Sequence, residues 1–233
     1  EAFSAAAETG LPPATIQLVY RIKADSGLRL VSDPRIGATG FTGSRTAGVA
    51  LKGAADKAGK PIYLEMSSIN PVLILPGALI ERGAKVAEEF SGSCLLGGGQ
   101  FCTSPGLVLL LAGDSTERFI PATKTTFAGA PVPPLLSADV ARSLVESVRI
   151  LRDAGAEVVT DTGIHAAAGR HPNTLLRVTG EQFVAAPDRL QTEAFGSTSL
   201  VVVARDATEA TGVIERLEGS LTGCIYSDSR GAD

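Results

Sequence analysis

Ile36-Gly37-Ala38-Thr39-Gly40-Phe41-Thr42-Gly43-Ser44-Arg45-Thr46-Ala47-Gly48 is the stretch on which the fold of this chain turns. Residues 36–42 carry enough β-branched and aromatic side chains for a short strand, and Gly43-Ser44 interrupts it. A helical pattern then opens and runs to about residue 58, and Pro61 precedes a second strand at 62–66. Upstream, residues 2–8 read as an Ala-rich helix stopped by Gly10 and Pro12. Residues 16–22 alternate and predict a strand, and 26–31 predict a short helix. Strand, helix, strand, helix, strand is the order of a parallel sheet with helices on its faces, so the fold class is α/β.

Two features of this stretch point to chemistry. A small-residue turn between strand and helix aims backbone N–H groups, and the positive end of the helix, at a phosphate. Gly43 and Ser44 are placed for that, although the spacing is neither GxGxxG nor a P-loop. The alternative is a tight turn with Ser44 as helix N-cap. Glu65 closes the 62–66 strand, and ligand crevices of open α/β sheets lie beyond the carboxyl ends of strands. A carboxylate there is a candidate general base, the alternative being a paired or partly exposed side chain.

Downstream, a second α/β lobe is expected to begin near residues 66–71. Its strands are expected at 72–75, 107–112, 157–160, 174–179, 200–204 and 222–226. Its helices are expected at 79–90, near 115–124, from a Ser137 cap to 154, and at 207–218. Between the 79–90 helix and the 107–112 strand lies Gly97-Gly98-Gly99-Gln100-Phe101-Cys102-Thr103-Ser104-Pro105-Gly106. Glycines let the backbone turn sharply and come close to a ligand. Cys102 in such a loop is a candidate reactive thiol, the alternative being a buried structural cysteine.

The chain has 233 residues, with 44% hydrophobic and 20% charged residues and a net charge of −4. That supports one large domain or two lobes, and points away from nucleic-acid and membrane-surface partners. The apolar runs at 72–75, 107–112 and 200–204 fall far short of the ~20 residues of a membrane helix. Cys94, Cys102 and Cys224 stand at unrelated spacings, with no CxxC, so neither a zinc site nor a disulfide framework is expected and a reduced, cytoplasmic setting fits. His165 and His171 read as residues of a Gly/Ala/Pro-rich loop at 163–172. The chain opens without Met inside a helical pattern and stops just after a strand, as an internal piece of a longer protein does.

Four pieces stand in order: Phe41-Thr42-Gly43-Ser44, Glu65-Met66-Ser67-Ser68-Ile69-Asn70-Pro71, Gly99-Gln100-Phe101-Cys102 and Glu193-Ala194-Phe195-Gly196. Together they resemble the aldehyde dehydrogenase superfamily, across essentially the whole chain. The forms Glu-Met-Ser-Ser-Ile-Asn-Pro-Val and Gly-Gln-Phe-Cys-Thr-Ser-Pro-Gly are similar to the branch holding α-ketoglutaric semialdehyde (2,5-dioxopentanoate) dehydrogenases and NADP-using fatty aldehyde dehydrogenases.

The resemblance implies the second part of a Rossmann-like NAD(P)-binding domain at 1–66 and an α/β catalytic domain, truncated at its C-terminal end, at 67–233. It implies Cys102 as nucleophile and Glu65 as general base. Gly43 and Ser44 would lie against the pyrophosphate of NAD or NADP, Glu193 would hold the nicotinamide ribose, and Phe195 would pack by the nicotinamide. The implied reaction is oxidation of an aldehyde, such as the semialdehyde 2,5-dioxopentanoate, to a carboxylate through a cysteine thiohemiacetal and a thioester, without a metal. The implied assembly is a homodimer or homotetramer.

The pattern departs from the family in two places. The family's oxyanion asparagine and ribose-binding lysine belong to a segment upstream of Glu1, so this chain alone is expected to be inactive. Ser197 stands where the family usually has proline. Two other readings stay open: a catalytically silent family member or structural module, and a CoA-acylating dehydrogenase or phosphate-ester reductase on the same fold.

Overall fold

Apolar runs become strands only where a neighbouring backbone completes their hydrogen bonds, and this rule sorts the chain. The computed structural model describes residues 1–160 and 169–233. Most of the loop expected at 163–172, His165 included, lies outside the described residues. The chain divides into two compact units, Glu1–Ser67 and Ser68–Asp233.

The first unit holds α1 (Ala2–Glu8), α2 (Ala24–Ser32), β1 (Thr39–Gly43), α3 (Arg45–Lys57) and β2 (Ile62–Met66). β1 and β2 pair in parallel, with Thr39 opposite Ile62 and Gly43 opposite Met66, and α3 is the crossover between them. A Cβ on Gly48 would come within 2.7 Å of the Met66 sulfur, so α3 approaches β2 closely through a bare backbone. The Lys60 ammonium donates to the carbonyls of Asp33 and Ile36 and ties the segment between α2 and β1.

The strand expected at 16–22 does not form. Among the described residues no strand pairs with it, and Leu18, Val19 and Tyr20 are 65%, 68% and 91% exposed. Its alternation is real, but no ladder is there to hold it.

The second unit holds β3 (Pro71–Ile74), α4 (Pro76–Leu95), a 3-10 turn at Leu96–Gly99, β4 (Leu107–Leu111), α5 (Asp114–Gly129), α6 (Ala138–Asp153), β5 (Glu157–Val158), β6 (Thr174–Thr179), α7 (Gly180–Ala185), α8 (Pro187–Leu190), β7 (Thr198–Ala204), α9 (Ala207–Ile214) and β8 (Cys224–Tyr226). Its strands lie in the order β5-β6-β7-β4-β3-β8, all parallel except the β5–β6 pair. Alternate residues of each strand face opposite sides of the sheet. Val108, Leu110, Val201 and Val203 therefore meet Val86, Phe90, Phe119 and Phe127 of α4 and α5. Leu107, Leu109, Leu200 and Val202 meet Leu151, Phe183, Leu190 and Val213 of α6 to α9. Both faces are covered, which is why β4 and β7 read as unbroken apolar runs.

Local signals set the helix ends. Ser137 caps α6 by accepting from the Val140 N–H. Thr179 and Gln182 form a capping box at the start of α7, and Pro187 opens α8; neither helix was expected. α4 is longer than expected and carries non-helical torsions at Arg82, whose guanidinium donates to the Ser227 carbonyl at 2.9 Å. α5 runs five residues past the expected end at 124 and contains Pro121. α9 stops at Ile214 because residues 216 and 217 bond back only three residues, in a tighter turn. His171 lies in irregular backbone, as expected, and is buried at 3% exposure, with Nδ1 2.8 Å from the Pro172 carbonyl oxygen.

Candidate functional site

In the first unit the parallel register sets Thr42 beside Glu65 and Gly43 beside Met66. The Gly43-Ser44 turn and the Glu65 carboxylate thus stand at the carboxyl ends of adjacent strands, where open α/β sheets place their ligands. Ser44 is the N-cap of α3 and accepts from the Ala47 N–H at 3.3 Å. Residues 42–47 are exposed and Glu65 is half-buried, so α3 begins at the surface, with its Ala47 amide taken by the Ser44 side chain. An open groove of about 450 Å³ between α2 and α3 is lined by Leu28, Val49, Ala50, Gly53 and Ala54, with Ser32 and Lys57 among its polar residues.

In the second unit the glycines at 97, 98 and 99 all have positive φ, of 59°, 70° and 65°. At Gly99 the need for glycine is also steric. A Cβ there would fall 2.1 Å from the Gly196 carbonyl oxygen and 2.5 Å from the Ser197 nitrogen. The thiol loop is therefore stacked backbone to backbone on the segment that carries Glu193 and Phe195. Gln100 pins its other side, accepting from the Leu136 N–H at 2.7 Å and donating to the Pro134 carbonyl.

At the tip of this loop Cys102 is exposed. Among the described residues its N–H donates to no protein acceptor. Cys94, eight residues earlier on α4, is buried, and desolvation pushes its thiol far above the ordinary value, which leaves it inert as a nucleophile. Cys224 is exposed on the edge strand β8. Glu193 and Phe195 are half-buried, and one Glu193 carboxylate oxygen accepts from the Ser68 N–H at 3.3 Å. Cys102, Glu193 and Phe195 are thus brought to one side of the second unit, and Gly43, Ser44 and Glu65 to one edge of the first.

Sequence reasoning passed over Asn70. It is 2% exposed, sits at φ 46°, and uses both donors and both acceptor sites of its side chain. Its Nδ2 donates to the carbonyls of Cys102 and Ser104, at 2.9 and 3.0 Å. Its Oδ1 accepts from the Ser68 hydroxyl at 2.8 Å and the Thr222 N–H at 3.2 Å. A buried amide at positive φ immediately before Pro71 is the available signal, since asparagine tolerates that region.

Among the described residues no cluster of His, Cys, Asp or Glu could hold a metal ion, and no helix is long and apolar enough to cross a membrane.

A family model described as "Aldehyde dehydrogenase family" matches residues 1–232. The chain is 38% identical to α-ketoglutaric semialdehyde dehydrogenase 2 of Azospirillum brasilense, over 97% of this chain and 43% of that protein. It is 31% identical to α-ketoglutaric semialdehyde dehydrogenase of Acinetobacter baylyi, over 94% of this chain and 42% of that protein. It thus spans less than half the length of these relatives. Two solved structures share the fold. A betaine aldehyde dehydrogenase of Staphylococcus aureus in complex with NAD+ superposes with a TM-score of 0.83 at 17% identity, over 98% of this chain and 47% of that one. A succinic semialdehyde dehydrogenase of Streptococcus pyogenes with NADP+ gives 0.76 at 23% identity, over 98% and 51%. With the family model matched from the first residue almost to the last, the chain belongs to the aldehyde dehydrogenase family.

Proposed function

We propose that the protein carrying this chain oxidises an aldehyde to a carboxylate with NAD or NADP, and that Cys102 and Glu65 carry the chemistry. The observation that bears most weight is Cys102 itself. It is exposed on a loop held on two sides, while Cys94, close in sequence, is buried. The Azospirillum brasilense and Acinetobacter baylyi relatives act on α-ketoglutaric semialdehyde by name, and the same semialdehyde is the proposed substrate here.

The residues fit a dinucleotide. The exposed start of α3, beside a glycine without a side chain, offers the positive helix end that a pyrophosphate takes. The groove between α2 and α3 is lined mostly by small and apolar residues, which suit a flat purine ring. Glu193 has the acceptor chemistry for ribose hydroxyls, with its carboxylate oriented by the Ser68 amide, and Phe195, two residues on and half-buried, supplies an apolar ring. When bound, NAD or NADP supplies the acceptor for the hydride that leaves the substrate carbon.

The chain's own groups do the rest. The Cys102 sulfur adds to the aldehyde carbon and forms a thiohemiacetal. The Cys102 N–H, with no protein acceptor among the described residues, is a donor for the oxyanion. Loss of hydride leaves a thioester on Cys102. Glu65 takes a proton from water, the resulting hydroxide attacks the thioester carbon, and the carboxylate departs as the thiol is restored.

The test is aldehyde-dependent NAD(P)H production by the full-length protein, paired with iodoacetamide labelling read by fragment mass spectrometry that separates Cys94 from Cys102. Turnover with 2,5-dioxopentanoate and labelling of Cys102 ahead of Cys94 and Cys224 support the reading. A silent protein, or Cys102 labelled no faster than the other two, overturns it. Thioester transfer to CoA faster than hydrolysis would make the enzyme acylating instead.

A further inference from the structure

Asn70 and Ser68 form a buried relay in the second unit. The Ser68 hydroxyl, itself accepting from the Leu221 N–H at 2.9 Å, donates to Asn70 Oδ1. The Thr222 N–H donates to the same oxygen. With that oxygen held from two directions, the amide plane is set, and its two N–H bonds point at the carbonyls of Cys102 and Ser104. A carbonyl fixed in this way fixes the peptide plane it belongs to, and so constrains the torsions of Cys102. Those torsions determine where the Cys102 N–H and Sγ point. The Ser68 N–H meanwhile contacts the Glu193 carboxylate, so one short segment orients both the thiol loop and the proposed ribose anchor.

We infer that Asn70 is the positioning residue of the thiol loop and that Ser68 locks its amide in place. This rests on the reading of Cys102 as nucleophile. Asn70 touches no reacting atom. It holds the peptide from which the oxyanion donor and the sulfur project, and a misplacement of about 1 Å there costs on the order of 10²-fold in rate.

The role can be separated from plain structural support. Iodoacetamide needs an accessible sulfur but no oxyanion donor, whereas aldehyde turnover needs both. In the full-length protein, Asn70→Asp keeps the acceptor for Ser68 and Thr222 and removes both donors to the loop. The expected result is kcat lower by about tenfold or more, with aldehyde KM and Cys102 labelling each within about threefold of wild type and Cys94 still protected. An unchanged kcat overturns the inference. If Cys94 becomes labelled, Asn70→Asp has disturbed the fold, and Ser68→Ala decides by the same readouts. That variant keeps the backbone bond to Glu193 and frees one side of the Asn70 amide. A kcat loss of about threefold at constant KM supports the relay, and an unchanged kcat sinks it. Slow Cys102 labelling in the wild-type protein would instead defeat the nucleophile reading, which keeps the two failures apart.

Discussion

The two small-residue turns of this chain are built in opposite ways. The turn at 43–47 is exposed, and its conformation follows from its own residues: a strand ends, Ser44 caps, a helix begins. The Gly97–Gly106 loop is specified from outside. Asn70 holds its carbonyls, Gln100 ties it to residues 134 and 136, and the backbone of Gly196 lies against Gly99. A helix start presents donors to an anion by construction, whatever surrounds it. A single sulfur must be aimed, and aiming needs contacts from several elements.

If this contrast is right, perturbing the aimed loop should cost far more than perturbing the self-made turn. The largest effect is expected for Cys102→Ser, which should lower turnover of the full-length enzyme by at least about 10³-fold with the fold unchanged, as measured by steady-state NAD(P)H formation. Glu65→Gln should slow the hydrolytic half by about 10²–10⁴-fold, leaving a burst of NAD(P)H followed by a much slower steady state in stopped-flow traces. Gly99→Ala must accommodate a methyl group 2.1 Å from the Gly196 oxygen at a φ of 65°. It should destabilise the protein by roughly 2–4 kcal/mol in denaturant titrations and take activity with it. Ser44→Ala removes one exposed cap bond and should cost only about 1 kcal/mol.

The smallest effect lies away from both turns and serves as a baseline. Burial lowers the pKa of His171 below its ordinary value of 6.5. The unfolded chain therefore binds more protons than the folded one just below that pH, so His171 removes stability as pH falls through about 6.5. Thermal melts of wild type and His171→Gln between pH 7.5 and 5.5 should diverge on that slope alone.

The same contrast explains what could be read from the sequence. Ser137, the apolar face of α6 and the unbroken run of β4 carry their instructions locally, and the structure follows them. The capping box of α7 was equally local and was overlooked. Residues 16–22 misled because alternation describes a strand's faces and says nothing of its neighbours. Cys102, Glu65 and Glu193 stood out through the order of their motifs. Asn70 did not, since apart from Ser68 its partners lie 32, 34 and 152 residues away and only folding brings them to it.

The central claim is that substrate carbon becomes bonded to the Cys102 sulfur. It is tested most directly by mixing the full-length Glu65→Gln variant with aldehyde and NAD or NADP, quenching in acid, and mapping the acyl group by fragment mass spectrometry. The account predicts an acyl mass on Cys102 and none on Cys94 or Cys224. An acyl group on Cys224, or a wild-type enzyme that turns over while the variant never accumulates an adduct on Cys102, would contradict it.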